Sequence, residues 1–301
     1  MSLPVEAYRR CRGKEGCFFV NDGTDCRKHA ARDRRKRRVS LSRVDGHIGA
    51  CHLFDCWPQV VLSIRSAKRL VLFIDFDGTL APLRRRPSGV KPLDLALRRI
   101  LRELAGHQRL TLYVISGRRL PELRKLAPVP GVRLLGLHGW EGRDIPPLDE
   151  ERRLLRRARQ LLDRRLPDTS PIWLEDKGLG LAVHYRGAAQ RTVRFARPIV
   201  LEVLKVLGPR LHMVQGHKVW ELLPLQIDGK GPAVRALLAK LPPRTLPIFV
   251  GDDVTDESAF AVLSHGLTIR VGRNPRTKAR FRLRNPEEVK VFLRKLQAEI
   301  A

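Results

Sequence analysis

Two carboxylates one residue apart, Asp75 and Asp77, follow the apolar run Leu70-Val-Leu-Phe-Ile74 and precede Gly78-Thr79. Residues at i and i+2 of an extended chain point the same way, so both acids can line one pocket. Carboxylates that close repel unless a cation lies between them, and their oxygens suit a hard ion such as magnesium. A second acidic run, Gly251-Asp252-Asp253-Val-Thr-Asp256-Glu257, follows the apolar stretch Leu246-Pro-Ile-Phe-Val250. So many acids in so few positions are costly to assemble without a metal. Three further pieces stand between the two runs. Ser116-Gly117-Arg118 offers a hydroxyl and a glycine-freed amide, both good donors to a phosphate oxygen. His138-Gly-Trp-Glu141 is a polar cluster, and Lys230, just before a predicted helix, can neutralise phosphate charge.

These residues need a scaffold that brings distant strand ends together. The apolar runs 70–74, 110–115, 133–137, 246–250 and 267–271 read as buried strands, separated by helical leucine spacing over 94–104, 121–126 and 232–239. That alternation predicts a parallel sheet, with the acids and donors in the crevice outside the strand ends. Between about 143 and 225 the pattern changes. Helix 149–166 precedes strands 172–176 and 179–185, and helix 191–207 precedes strands 211–215 and 219–223. Helix-strand-strand occurs twice, which predicts a small antiparallel sheet with helices on one face. The fold class is therefore α/β, a Rossmann-like parallel-sheet core with an inserted α+β cap domain. The core occupies 66–142 and 226–301, and the cap occupies 143–225.

Residues 1–65 differ from the rest. They hold all five cysteines and a basic run over 27–38. The expectation is a loosely attached or disordered segment, or upstream sequence beyond a mis-called start, with Val60–Ile64 packing on the core. Cys11, Cys17, Cys26 and His29 lack the paired knuckles of a usual zinc site. A cysteine-free catalytic body fits a reducing cytoplasm. No run of about eighteen apolar residues reads as a membrane span.

The net charge of +28 comes from arginine spread along the whole chain. Sparse aromatics and the lack of a nucleic-acid module favour a solvated basic surface over a nucleic-acid site. A positive field also draws in an anionic phosphate.

Asp75-Phe-Asp77-Gly-Thr-Leu, Ser116-Gly-Arg, Lys230-Gly and Gly251-Asp-Asp-Val-Thr-Asp-Glu resemble the four motifs of the haloacid-dehalogenase-like phosphatases. With Ala81-Pro82 after the first motif, His138-Gly-Trp-Glu141, Leu181-Ala-Val-His-Tyr-Arg186 and the Gly251-Asp-Asp-Val-Thr-Asp-Glu string, the chain over about 68–298 resembles the trehalose-6-phosphate phosphatases. Phe76 stands where that family often has tyrosine. The resemblance implies Asp75 as the nucleophile that becomes an aspartyl-phosphate, and Asp77 as the general acid and then base. Thr79, Ser116 and Gly117 would hold phosphate oxygens, and Lys230 would join Asp75 to the phosphoryl charge. Magnesium (Mg2+) would take Asp75, the Asp77 backbone carbonyl and Asp252, with Asp253 and Asp256 completing the shell. Arg118, His138 and Glu141 at the core edge, and Lys177, His184, Lys218 and Glu221 on the cap hairpins, would bind the sugar. The implied reaction releases trehalose and phosphate, next in a pathway to a trehalose-phosphate synthase. The alternatives are sucrose-phosphate, a glucosyl- or mannosyl-phosphoglycerate, and a nucleic-acid-binding protein.

Overall fold

The computed structural model describes residues 50–84, 89–144, 148–166, 171–216 and 218–301. Residues 11, 17, 26 and 29 and the basic run 27–38 lie outside these. The described chain opens with β1 (Cys51–His52), α1 (Trp57–Ser66), β2 (Leu70–Ile74), α2 (Leu95–Gly106), β3 (Leu110–Ile115), α3 (Leu120–Leu126) and β4 (Arg133–Leu135). Next come α4 (Asp149–Arg165), β5 (Trp173–Asp176), β6 (Leu181–His184), α5 (Gln190–Leu207), β7 (Leu211–Gly216) and β8 (Val219–Pro224). The chain then returns to α6 (Gly231–Leu238), β9 (Leu246–Gly251), α7 (Val254–Val262), β10 (Leu267–Val271), β11 (Phe281–Leu283) and α8 (Pro286–Ile300).

Seven strands pair in parallel in the order β1-β11-β10-β9-β2-β3-β4. Strand β2 is apolar throughout because helices cover both faces of the sheet. Leu70, Leu72 and Ile74 pack toward Val60 and Ile64 of α1, Leu97 and Leu101 of α2, and Phe292 and Leu296 of α8. Val71 and Phe73 point the other way, into the cluster with Val234 of α6 and Phe260 of α7. The insertion is a four-stranded antiparallel sheet, order β5-β6-β8-β7. Its face bearing Leu181, Val183, Trp220 and Leu222 packs on Leu155 and Leu162 of α4 and Val200 and Val203 of α5. The molecule is the expected α/β core with an α+β insertion.

The start of the core needs correction. β1 is the edge strand of the main sheet, paired with β11, and Val60 and Ile64 are fully buried in its core. Residues 51–65 therefore belong to the main-sheet core and not to a detached segment. Their signal was short, since a two-residue strand has no period and α1 buries only Val60 and Ile64. A Cys51–Cys56 disulfide joins β1 to the turn before α1, so the body is not cysteine-free. No described helix is long and apolar enough to cross a membrane.

Candidate active site

Because β2 lies between β9 and β3, three loops that are far apart in sequence leave neighbouring strand ends. The β2 loop carries Asp75 and Asp77, the β3 loop Ser116 to Arg118, and the β9 loop Asp252 and Asp253. Gly78 has φ +85°, and a Cβ there would collide with the Asp252 carboxylate, so the turn after the two acids requires glycine. His138 comes from a single helical turn after β4, and Lys230 immediately precedes α6.

Asp75, Lys230 and Asp256 are buried together. The Lys230 ammonium donates to Asp75 Oδ1 and, at 2.7 Å, to Asp256 Oδ1. Burial pushes the Asp75 carboxyl well up; Lys230 opposes this, and the charges of Asp256 and Asp252 add to it. Burial would lower Lys230, but the carboxylates of Asp256 and Asp75 outweigh it and raise the ammonium above the ordinary lysine value. Asp252 is pushed up to about 7, by burial first and then by Asp256. Oxygens of Asp75, Asp252 and Asp256 lie within 4.8 Å of one another. Three carboxylates sharing one ammonium leave negative charge uncompensated, and an all-oxygen donor set suits a hard divalent cation.

Beside this cluster Asp77 accepts both arms of Arg118, Nε to Oδ2 at 2.6 Å and Nη2 to Oδ1 at 2.7 Å. The other terminal nitrogen of Arg118 reaches Glu122. Such fork-to-carboxylate pairs are among the stronger charge-assisted bonds. Ser116, Gly117 and Arg118 line a cleft of about 150 Å3 with Asp75, Asp77 and Lys230.

The insertion supplies the facing wall. Glu221 of β8 accepts from Lys177 in the β5–β6 turn and pairs with His138 Nε2 of the core at 2.8 Å. Lys177 also donates to the Gly117 carbonyl at 3.3 Å. Burial alone would push Glu221 up, but Lys177 and then His138 outweigh it and hold the carboxyl far below its ordinary value. Burial likewise disfavours the Lys177 charge, and Glu221 and Glu175 more than restore it. Farther out, His184 Nε2 pairs with Glu175 at 2.8 Å, and both line the cleft.

Several expected residues lie elsewhere. Thr79 is fully buried and donates to Asp252 Oδ1 at 3.1 Å, so it braces an acid and does not face the cleft. Glu141 accepts the Leu120 amide at the start of α3, so it satisfies an open helix end. Lys218 is exposed, in a turn with φ +64°, and does not line the cleft. Asp253 does line it, but outside the three-carboxylate cluster; it precedes α7, and its amide donates to Asp256 Oδ2 at 2.8 Å. The Asp77 carboxylate is also outside that cluster. Conversely, Glu122, Glu175 and Arg186 line the cleft without having been singled out. Glu175 could have been found from strand parity, and Arg186 closes the Leu-Ala-Val-His-Tyr-Arg string.

The trehalose-phosphatase family model matches residues 73–287. The chain belongs to this family. Probable trehalose-phosphate phosphatase 9 of Oryza sativa subsp. japonica is 31% identical over 274 residues, covering 79% of this chain and 72% of the relative. Trehalose-phosphate phosphatase of Mycobacterium ulcerans is 32% identical over 259 residues, 77% of this chain and 63% of that one. Among solved structures, the C-terminal domain of Candida albicans trehalose-6-phosphate phosphatase superposes with a TM-score of 0.71 at 21% identity, covering 85% of this chain and 99% of that one. Membership makes this trehalose-phosphatase family member a phosphoric monoester hydrolase, and the buried Asp75–Lys230 pair lies at its centre.

Proposed function

We propose that this phosphatase hydrolyses trehalose 6-phosphate to trehalose and phosphate. The observation that supports this best is the pairing of a buried Asp75–Lys230 centre with a polar wall of Glu175, Lys177, His184 and Glu221 across one cleft. The Asp75 oxygen not held by Lys230 attacks phosphorus, so an O–P bond forms to Asp75 as the bond to the sugar oxygen breaks. Asp77 gives its proton to the departing sugar oxygen. It then takes a proton from water, which attacks the aspartyl-phosphate and releases phosphate with Asp75 restored. Both Asp77 oxygens are acceptors for Arg118 in the free protein, so proton donation requires Arg118 to release one of them. The incoming phosphate is the natural alternative partner for a guanidinium. Ser116 and the Gly117 amide hold phosphate oxygens, and Lys230 offsets charge on Asp75 and the phosphoryl group.

Asp75, Asp252 and Asp256 would hold magnesium, which when bound neutralises charge on the transferring phosphoryl group. Domain limits of 66–142 with 226–301 for the core and 143–225 for the cap remain the working boundaries, extended upstream to residue 51. The proposed reaction would follow that of a trehalose-phosphate synthase in the same pathway, and the expected cytoplasmic location loses its cysteine argument with the Cys51–Cys56 disulfide.

The test is phosphate release by the purified full chain from a panel of sugar phosphates, with magnesium and with a chelator. Selective, magnesium-dependent release from trehalose 6-phosphate is expected. Preference for sucrose-phosphate or a glycosyl-phosphoglycerate would keep the chemistry and overturn the substrate. Undiminished release in chelator would remove the metal assignment.

A further inference from the structure

The β3 loop presents two donors to the cleft. Ser116 is almost fully buried, and its Oγ accepts the Arg118 amide at 3.1 Å. That bond uses the oxygen as an acceptor and leaves the hydroxyl proton without an acceptor among the described residues. The Gly117 amide likewise donates to no described group, and both residues line the cleft.

The three carbonyls of this loop are held from two sides. Those of Ser116 and Arg118 accept core amides, from His138 at 2.9 Å and from Leu137 at 2.8 Å. The carbonyl between them, that of Gly117, takes its bond from the insertion, Lys177 Nζ at 3.3 Å. The Gly117 carbonyl and the Arg118 amide belong to one planar peptide. Lys177 therefore holds one end of the group whose other end holds Ser116 Oγ.

Glycine at 117 makes this hold matter. A Cβ there would stand 3.0 Å from Cε1 of His138, so the imidazole packed on the loop disfavours a larger residue. Without a Cβ the peptide that follows rotates readily, and rotating it swings the Arg118 amide away from Ser116. Lys177 is itself fixed. It is buried and bonded to Glu221, which pairs with His138 at 2.8 Å. An ammonium on a carbonyl also polarises the peptide and strengthens its amide as a donor.

We propose that Lys177 is a positioning residue for the phosphate donor Ser116, acting through the Gly117–Arg118 peptide, so that the phosphate subsite is completed only when the insertion is seated on the core. The proposal rests on the phosphatase reading of the cleft and adds a coupling between its two walls. It is separate from any contact of Lys177 with a sugar, because it acts equally on phosphates that carry none.

Two probes without a sugar test this on the full chain with magnesium: turnover of p-nitrophenyl phosphate and calorimetric binding of inorganic phosphate. Lys177→Met should lower kcat/KM on the aryl phosphate and weaken phosphate binding, each about tenfold, and Ser116→Ala should do the same. Ser116→Ala with Lys177→Met should fall no further than Ser116→Ala alone, since one path cannot be broken twice. Lys177→Met with Glu221→Gln strands no buried carboxylate, which guards against a folding defect, and should match the loss in Lys177→Met. Additive losses in the first pair, undiminished phosphate binding in Lys177→Met, or parent-level binding in the second pair would overturn the coupling. Parent-level phosphate binding in Ser116→Ala would remove Ser116 as a phosphate donor, and the coupling with it. Failure of trehalose 6-phosphate as a substrate would leave all of these results unchanged, so the two readings fail separately.

Discussion

Replacing Lys230 with methionine isolates the electrostatic argument at the centre of the site. The side chain is almost fully buried and is the direct ammonium partner of both Asp75 and Asp256, which are themselves buried. Methionine matches much of its volume, so packing loss is small. Removing one partner of a buried ion pair strands the other charge, at a cost of about 3–5 kcal/mol. For a chain of this size that lowers Tm by about 10 °C. The sign of the pH dependence is determined by Asp75, whose folded pKa already lies above its ordinary value of 3.8. A carboxyl raised on folding binds more protons folded than unfolded, so its contribution to stability falls as pH rises above the unfolded value. Without Lys230 this rise is greater. The stability gap between the parent and Lys230→Met should therefore be small near pH 4 and widen toward pH 8. Urea unfolding at a series of pH values, in chelator, measures it. A gap below about 1 kcal/mol, or one constant across that range, would refute the view that Lys230 compensates buried carboxylates.

Asp75→Asn should abolish turnover while far-ultraviolet circular dichroism stays that of the parent; retained phosphate release by the pure variant would exclude Asp75 as nucleophile. Because Asp252 is pushed up to about 7, magnesium must displace a proton below that pH, and its apparent affinity should fall about tenfold per unit on further acidification. Calorimetric titration at several pH values reads this, and pH-independent affinity would count against Asp252 as a ligand. Glu221→Gln should weaken substrate binding more than kcat. It should also cost stability near neutrality that disappears in acid, because a carboxyl depressed on folding stabilises only above its ordinary pKa of 4.5 and loses that effect as pH falls. Parallel unfolding curves at neutral and acidic pH with an unchanged difference would contradict it.

The buried acidic cluster was legible because burying acids is costly. Carboxylates placed after fully apolar strands, as at Asp75 and Asp252, need a compensating charge, and Lys230 supplies part of it. The adjacency of the loops follows from the alternation of strand and helix, which allows few sheet topologies. Partner choice within a loop was not legible. Thr79 has one hydroxyl and two candidate acceptors, a substrate phosphate or Asp252, and only the fold of the turn decides for Asp252. Glu141 reads as a sugar ligand in sequence, yet the nearest unsatisfied donor is the Leu120 amide at a helix start.

On the inserted sheet the decisive variable is strand parity. Val219 and Glu221 face the cleft, whereas Lys218 precedes the strand in a turn and points to solvent. A shift of one position in where β8 begins exchanges the two faces, and a local pattern of charges does not specify that position. The same rule places Glu175 with His184 once the register is known. The buried acids and lysine proposed for phosphoryl transfer are therefore recoverable from charge placed at strand ends. Which residues of the inserted sheet face the cleft depends on register, and register is a property of the folded sheet.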